Sequence, residues 1–312
     1  MRAFALAHFF HSKQSMSIAK GDAVPALRGH GKLAATSEIH IFLAPVLEDP
    51  DSEAGRAVVR KYKDAVSLWN AQELPRLKQR DGGVLEHGDR AVEHGPMKAP
   101  VLTLVFRDGA GEKPLTVCQS ARYVYCNDVR RVQELCHEDA AFFAAQGLEV
   151  IREKIEATAH GIDGVPQTSA EAVRYPHLYF EFHIKVQRHD ASGEPLPVTA
   201  QEEAELRAVA NTLSRDLNVP IPLSYNREKN ENNRDNGGCQ RFLNVRFYGL
   251  GMQEIKPKLE RIYEAIKRDQ RYSVLKTISE YVWYDTNKAM DKGWIDYAPD
   301  ELAALQQRLA AQ

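Results

Sequence analysis

Cysteine is scarce and unevenly placed. Cys118, Cys126, Cys136 and Cys239 are the only four in 312 residues, and no two form a C-x-x-C pair. That excludes a zinc ribbon and a thioredoxin-type motif, and four are too few for a disulfide scaffold, so a reducing compartment is expected. Charge of one sign is also lacking. Lys and Arg number 41 against 43 Asp and Glu, giving a net charge of −2 and a pI near 6.6. A dedicated nucleic-acid binder carries a basic surplus, so nucleic acid ranks below a small molecule as a partner. No apolar run approaches the roughly 18 residues of a membrane span. G-x-S-x-G, P-loop, H-E-x-x-H and dinucleotide fingerprints are all missing.

What is present is an ordinary globular composition, 43% hydrophobic and 27% charged, on a chain long enough for about two domains. Residues 1–36 carry Asp22 alone against Arg2, Lys13, Lys20, Arg28 and Lys32, with Phe4, Leu6, Phe9 and Phe10 clustered early. This reads as a leader or flexible N-terminal segment. The expected location is cytoplasmic, with a mitochondrial alternative if the leader is a transit peptide.

Hydrophobic period supplies the elements. Glu38–Val46 alternates as a strand, with Ile39, Ile41 and Leu43 on one side and Glu38, His40 and Phe42 on the other. Val59, Tyr62, Val66 and Trp69 make one stripe of a helix over about 53–72. A Gly- and His-containing loop near 80–99 leads to strands at 101–107 and 115–125. Asn127 or Asp128 can cap a helix over about 129–146, Gly147 suits its end, and a strand follows at 149–158. After a turn-rich linker at 161–175 the pattern restarts. A strand at 177–187 precedes a helix opened by Thr199 and Glu202 as a capping box. Strands near 219–225 and 240–248 come next, then a helix at 253–269 with Ile255, Leu259, Ile262 and Ile266 on one side, and a strand at 273–285. Trp283, Tyr284 and Trp294 read as residues that pack or line a rim. The tail, 287–312, predicts a short helix near 300–310.

Each half thus reads β-α-β-β-α-β, the ferredoxin-like order. The expected fold is α+β, a tandem duplication of that unit, over 37–160 and 176–286, with the two sheets pairing around a central cavity. Matched residues argue for duplication. Glu38-Ile39-His40-Ile41 reads against Glu181-Phe182-His183-Ile184, Arg122 against Arg246, and Arg152 and Glu156 against Lys276 and Glu280. The extra length of the first copy fits the loop near 80–99.

Side-chain parity sets the faces. Glu38, His40, Glu181, His183 and Lys185 should point away from the helices, with Arg152, Lys154 and Glu156 beside them. An uncovered sheet face lined with opposite charges is also what a simple salt-bridge seam would look like. The chemical alternative is a metal-dependent small-molecule enzyme. His40, His183, Glu38, Glu181, Glu156 and Glu280 would supply imidazole and carboxylate ligands to Fe, Mn or Zn. Arg122, Arg246, Arg152 and Lys185 would hold an anionic substrate. In its repeat logic this arrangement resembles the vicinal-oxygen-chelate group of glyoxalases and extradiol dioxygenases. That resemblance implies ligands from first and last strands, here His40 with Glu156 and His183 with Glu280; the E-x-H pattern is not part of its signature.

A third alternative is metal-free anion recognition. Glu181-x-His183-x-Lys185 is similar to the E-x-E-x-K strand of triphosphate-tunnel enzymes, with His183 in place of the second Glu. The loop 226–238, with Arg227, Lys229 and Arg234, and Gly249-Leu250-Gly251 ahead of a helix, would offer further donors to a phosphate or RNA strand. Cys136 and His137 are neighbours on a helix, so their side chains diverge and make no catalytic pair.

Overall fold

The computed structural model describes residues 36–81, 92–108, 111–126, 128–159, 165–176, 178–227, 229 and 238–291. The leader, Arg234, Trp294 and the helix expected near 300–310 lie outside these residues. The strands are β1 Thr36–Leu47, β2 Glu93–His94, β3 Val101–Asp108, β4 Gly111–Tyr125, β5 Val150–Thr158, β6 Tyr179–Arg188, β7 Leu223–Asn226, β8 Gln240–Tyr248 and β9 Tyr272–Asp285. The helices are α1 Glu53–Asp81, α2 Val129–Ala145, α3 Ser169–Ala172, α4 Ala200–Leu217 and α5 Met252–Arg268.

The strands form a closed antiparallel barrel in a mixed α+β protein. Their order is β1-β5-β9-β6-β8-β7-β3-β4, β4 pairs back onto β1, and β2 lies beside the end of β4. Within the first half the order is β5-β1-β4-β3, and within the second it is β9-β6-β8-β7. The halves meet along two seams, β5–β9 and β3–β7. The expected pair of sheets is therefore one continuous wall, because the outer strands of each half find partners in the other and leave no edge of the ring unpaired.

The helices cover the outside. Ile39, Ile41 and Leu43 join Tyr62, Val66 and Trp69 of α1 and Val132, Leu135 and Phe143 of α2 in one buried cluster. Phe182, Ile184 and Val186 join Leu206 and Leu213 of α4 and Ile255, Ile262 and Ile266 of α5 in the same cluster. Each large apolar side chain so buried contributes about 1.5–3 kcal/mol. Helix α1 runs past the expected end and through Pro75, and Leu77 is buried beyond it. The expected caps form: Asp128 accepts from the Arg130 N–H, and Thr199 and Glu202 cap each other's backbone. Gly147 takes φ +69°, the left-handed turn that ends α2. No helix among the described residues is long and apolar enough to cross a membrane.

Bulges tune the inner face. Pairing slips past Ile151 in β5 and past Leu275 in β9. A second slip in β9 sets Glu156 opposite Val282 and Ile155 opposite Tyr284, so Trp283 is the extra residue. One inserted residue reverses parity. Trp283 and Tyr284 thus both pack outward, and Asp285 returns to the inside.

Candidate functional site

The inside of the barrel is ionic to an unusual degree. Glu156, Glu181, Arg246, Lys154, Arg152 and Glu280 are each at most 5% exposed. Charged groups are rarely buried so fully unless paired. Register brings them together: Glu38 faces Glu156, Glu181 faces both Arg246 and Glu280, and His183 faces Asn244. Part of the interior is apolar, filled by Phe42, Leu104, Val117 and Met290.

Two imidazoles sit in similar settings. His40 Nδ1 is 2.6 Å from the Gln119 amide nitrogen, and its Nε2 is 3.5 Å from a Glu156 oxygen. His183 Nδ1 is 2.6 Å from Asn244 Oδ1, and its Nε2 is 3.2 Å from Glu280 Oε2. The second of these carboxylate contacts is an ion contact without hydrogen-bond alignment. Each ring therefore has an amide on one nitrogen and a carboxylate near the other. Sequence parity turned both histidines and Glu156 toward this face, and the resemblance paired the histidines with the glutamates, but neither gave a sign of Gln119 or Asn244. Their partners depend on the β4 and β8 registers, which alternation alone does not set.

Lys154 ties the two settings together. Its ammonium contacts both Glu156 and Glu181, and Arg246 Nε donates to Glu181 at 2.9 Å. Burial opposes ionising Glu181, yet Arg246 and Lys154 outweigh it and hold its pKa at about 2. Burial likewise opposes charging His183, but Glu280 and Glu181 carry it up to about 10. For Glu280, burial and then the neighbouring Glu156 carboxylate push the pKa up to about 7. His40 is raised too, Glu156 and Glu38 overcoming its burial. Of these groups Glu280 is the one brought near neutral pH, the range in which a side chain can both give and take a proton.

The basic residues expected to clamp an anion have other employment. Arg122 is a correction. Opposite Ile39 in register, it points to the helices, where its Nε donates to Asp139 at 2.5 Å and its guanidinium lies 5.0 Å from the Trp69 ring. Tyr123 holds the place opposite Glu38 that Arg246 holds opposite Glu181. The reading of Arg122 against Arg246 is thus one residue out of step, and one residue changes the face. Arg152 does point inward but makes a two-pronged pair with Asp285, which also accepts from the Tyr179 hydroxyl. Lys185 lies 5.8 Å from the Phe242 ring. The Gly249-Leu250-Gly251 anion site is a further correction. The first N–H groups of α5 donate to the Pro166 and Gln167 carbonyls, and a Cβ on Gly251 would meet Thr168 N at 2.3 Å. That glycine is there for close backbone approach. Cys136 is buried, while His137 bonds Glu153 at 2.6 Å.

Five of the six residues expected to ligate a metal fall into two overlapping groups, and Glu280 belongs to neither. Glu38, His40 and Glu156 bring one ligand atom each within 4.8 Å of one another, and Glu156, Glu181 and His183 do the same. The Lys154 ammonium already lies on both carboxylates of the second group. A dication there would displace it or face its repulsion. The first group is the less obstructed, since Lys154 lies on only one of its carboxylates, Glu156, and Glu38 is half-buried; ligation by His40 Nε2 would need the Gln119 amide turned so that its oxygen accepts from Nδ1–H.

Comparison with known proteins identifies no family. No family model matches the chain, and no curated protein matches it by sequence. Some solved structures share parts of its path. A provisionally assigned monooxygenase from Lactobacillus acidophilus aligns at 11% identity over 81% of this chain and 95% of its own, with a TM-score of 0.25. A heme-binding protein from Thermus thermophilus aligns at 13% identity over 80% and 91%, with a TM-score of 0.26. A dye-decolorizing protein from V. cholerae aligns at 10% over 81% and 94%, with a TM-score of 0.23. At such TM-scores none of these carries an argument about activity or cofactor.

Proposed function

We propose that this protein is a small-molecule enzyme running acid–base chemistry inside the barrel, with His183 and Glu280 as the reacting pair. The observation that carries this reading is the amide–imidazole–carboxylate set, which occurs twice on comparable strands. Such a set orients an imidazole and supplies a partner for its proton. His183 is the more accessible of the two, its side chain 25% exposed against 8% for His40. Its Nε2 is therefore the better placed to meet a substrate. The substrate is a small molecule that gives or takes a proton. An anion clamp of arginines is not needed, since Arg152 and Arg246 hold carboxylates of this chain.

A second reading keeps the divalent ion, favoured by the three ligand atoms of Glu38, His40 and Glu156. Fe, Mn or Zn seated there would polarise a substrate oxygen. We also read the halves as copies of one ferredoxin-like unit. Their equal strand orders and the bulges at Ile151 and Leu275 support this.

The test is deuterium incorporation. Purified protein in D₂O is incubated with a panel of small carbonyl and hydroxy acids, and NMR follows exchange at carbon. Wild type is expected to exchange at least one compound, and His183→Gln or Glu280→Gln to lose that exchange. Elemental analysis of the same sample addresses the ion. No exchange across the panel and no bound metal would reduce the ionic interior to a salt-bridge seam.

A further inference from the structure

The environment of Asn244 fixes more than its own position. Its amide nitrogen lies 2.9 Å from Ser224 Oγ and 3.3 Å from the Pro222 carbonyl oxygen. A carbonyl oxygen only accepts, so the side of Asn244 facing it must be the NH₂ group. The amide orientation, often a matter of choice, is thereby decided by its neighbours. Asn244 Oδ1 is left facing His183 Nδ1 at 2.6 Å. That oxygen accepts and does not donate, so the hydrogen in this contact belongs to Nδ1. Pro222 reaches the site because the Asn244 backbone N–H also donates to its carbonyl, at 2.9 Å. Asn244 is 2% exposed, so water does not readily replace these partners.

The opposite nitrogen has a different outlook. His183 Nε2 faces the carboxylates of Glu280 at 3.2 Å and Glu181 at 3.9 Å. His40 lacks this lock. Its Nδ1 lies 2.6 Å from the Gln119 amide, whose facing end no carbonyl among the described residues fixes, and Gln119 comes from β4 without a direct register pairing to it.

We propose that Asn244 is a positioning residue that keeps the Nδ1 proton of His183 in place, so that proton exchange runs through Nε2 toward Glu280. This rests on the acid–base reading for its purpose, but not for its test. His183 gives and takes a proton at Nε2.

The experiment is ¹⁵N NMR of histidine-labelled full-length protein, with the His183 signals identified by their loss in His183→Gln. Spectra are taken in alkali, where His183 is neutral. The expected result is a protonated Nδ1 and a bare Nε2, and the same tautomer in Asn244→Asp, whose carboxylate still accepts. Asn244→Leu should move His183 toward the Nε2–H form, the one more common in unconstrained imidazole. A wild-type ring that is Nε2–H in alkali overturns the proposal, and so does an unchanged tautomer in a folded Asn244→Leu protein. Should Asn244→Leu fail to fold, the wild-type spectrum decides alone. The tautomer is read without substrate, so a lack of carbon exchange would sink the enzyme reading and leave this assignment intact.

Discussion

Glu38 on β1 and Glu181 on β6 each stand two residues before an interior histidine, and the barrel treats them differently. Glu38 is half-buried and faces Tyr123. Glu181 is 1% exposed and is held by Arg246 and Lys154. One half therefore keeps an accessible carboxylate at the end of the interior, while the other uses its carboxylate to neutralise two buried cations. The lesson is that equal motifs need not mean equal chemistry. The cross-strand neighbour, tyrosine in one half and arginine in the other, decides which glutamate remains available.

Three experiments would break or sharpen this contrast. The largest effect should come from Glu181→Ala, which leaves Arg246 and Lys154 without a shared partner. Breaking a buried pair from one side costs about 3–5 kcal/mol, whereas Glu38→Ala should cost less than about 1 kcal/mol, as exposed pairs do. Urea unfolding of both variants measures the difference, and equal losses would erase the asymmetry.

Arg122→Leu should cost a similar amount, about 3–5 kcal/mol, by leaving Asp139 buried without its counter-ion. Because that pair lies under the helices, the histidine NMR signals of the interior should stay where they are. Movement of the His183 signals in a folded Arg122→Leu protein would mean that the outside and inside networks are not separate.

Next in size is the pH profile of Tm. Glu181 is held at about 2, so its contribution is present above the ordinary glutamate value of about 4.5 and is lost as pH falls toward 2. That shift corresponds to roughly 3 kcal/mol. His183 is raised to about 10, so its contribution is complete below about 6.5 and is lost as pH climbs to 10. Glu280, raised to about 7, has the sign of His183 and the opposite of Glu181: its proton stabilises the fold at low pH, and that gain fades between about 4.5 and 7. Glu181→Gln should flatten the acid limb and His183→Gln the alkaline limb. An alkaline limb unchanged in His183→Gln would separate His183 from the network.

Much of the architecture was legible in alternation and helical period. The inward direction of Glu38, His40, Glu181 and His183 followed from Ile39, Ile41, Phe182 and Ile184 needing cover. The pairs His40–Glu156 and His183–Glu280 came from the resemblance to two-module metal enzymes and not from alternation. Three features were hidden. Closure into a ring depends on the β5–β9 and β3–β7 seams, whose partners are far apart in the chain. Asp285 reaches Arg152 because of the bulge at Trp283, and no residue type there announces an extra position. Arg122 was set on the wrong face by an alignment one residue out of register, since apolar and aromatic neighbours fit either frame about equally well.

The two seams have a consequence for how the chain is handled. Cut between β5 and β6, each half would carry two bare strand edges, β5 and β3 or β9 and β7. Bare edges invite pairing with whatever strand is nearest, and the nearest of the right shape is another copy of the same half. Separate halves would then tend to assemble in twos or clump. In the intact chain the tether of one half to the other makes the correct partner the most concentrated one, so joining two units in one polypeptide is itself a safeguard against self-association.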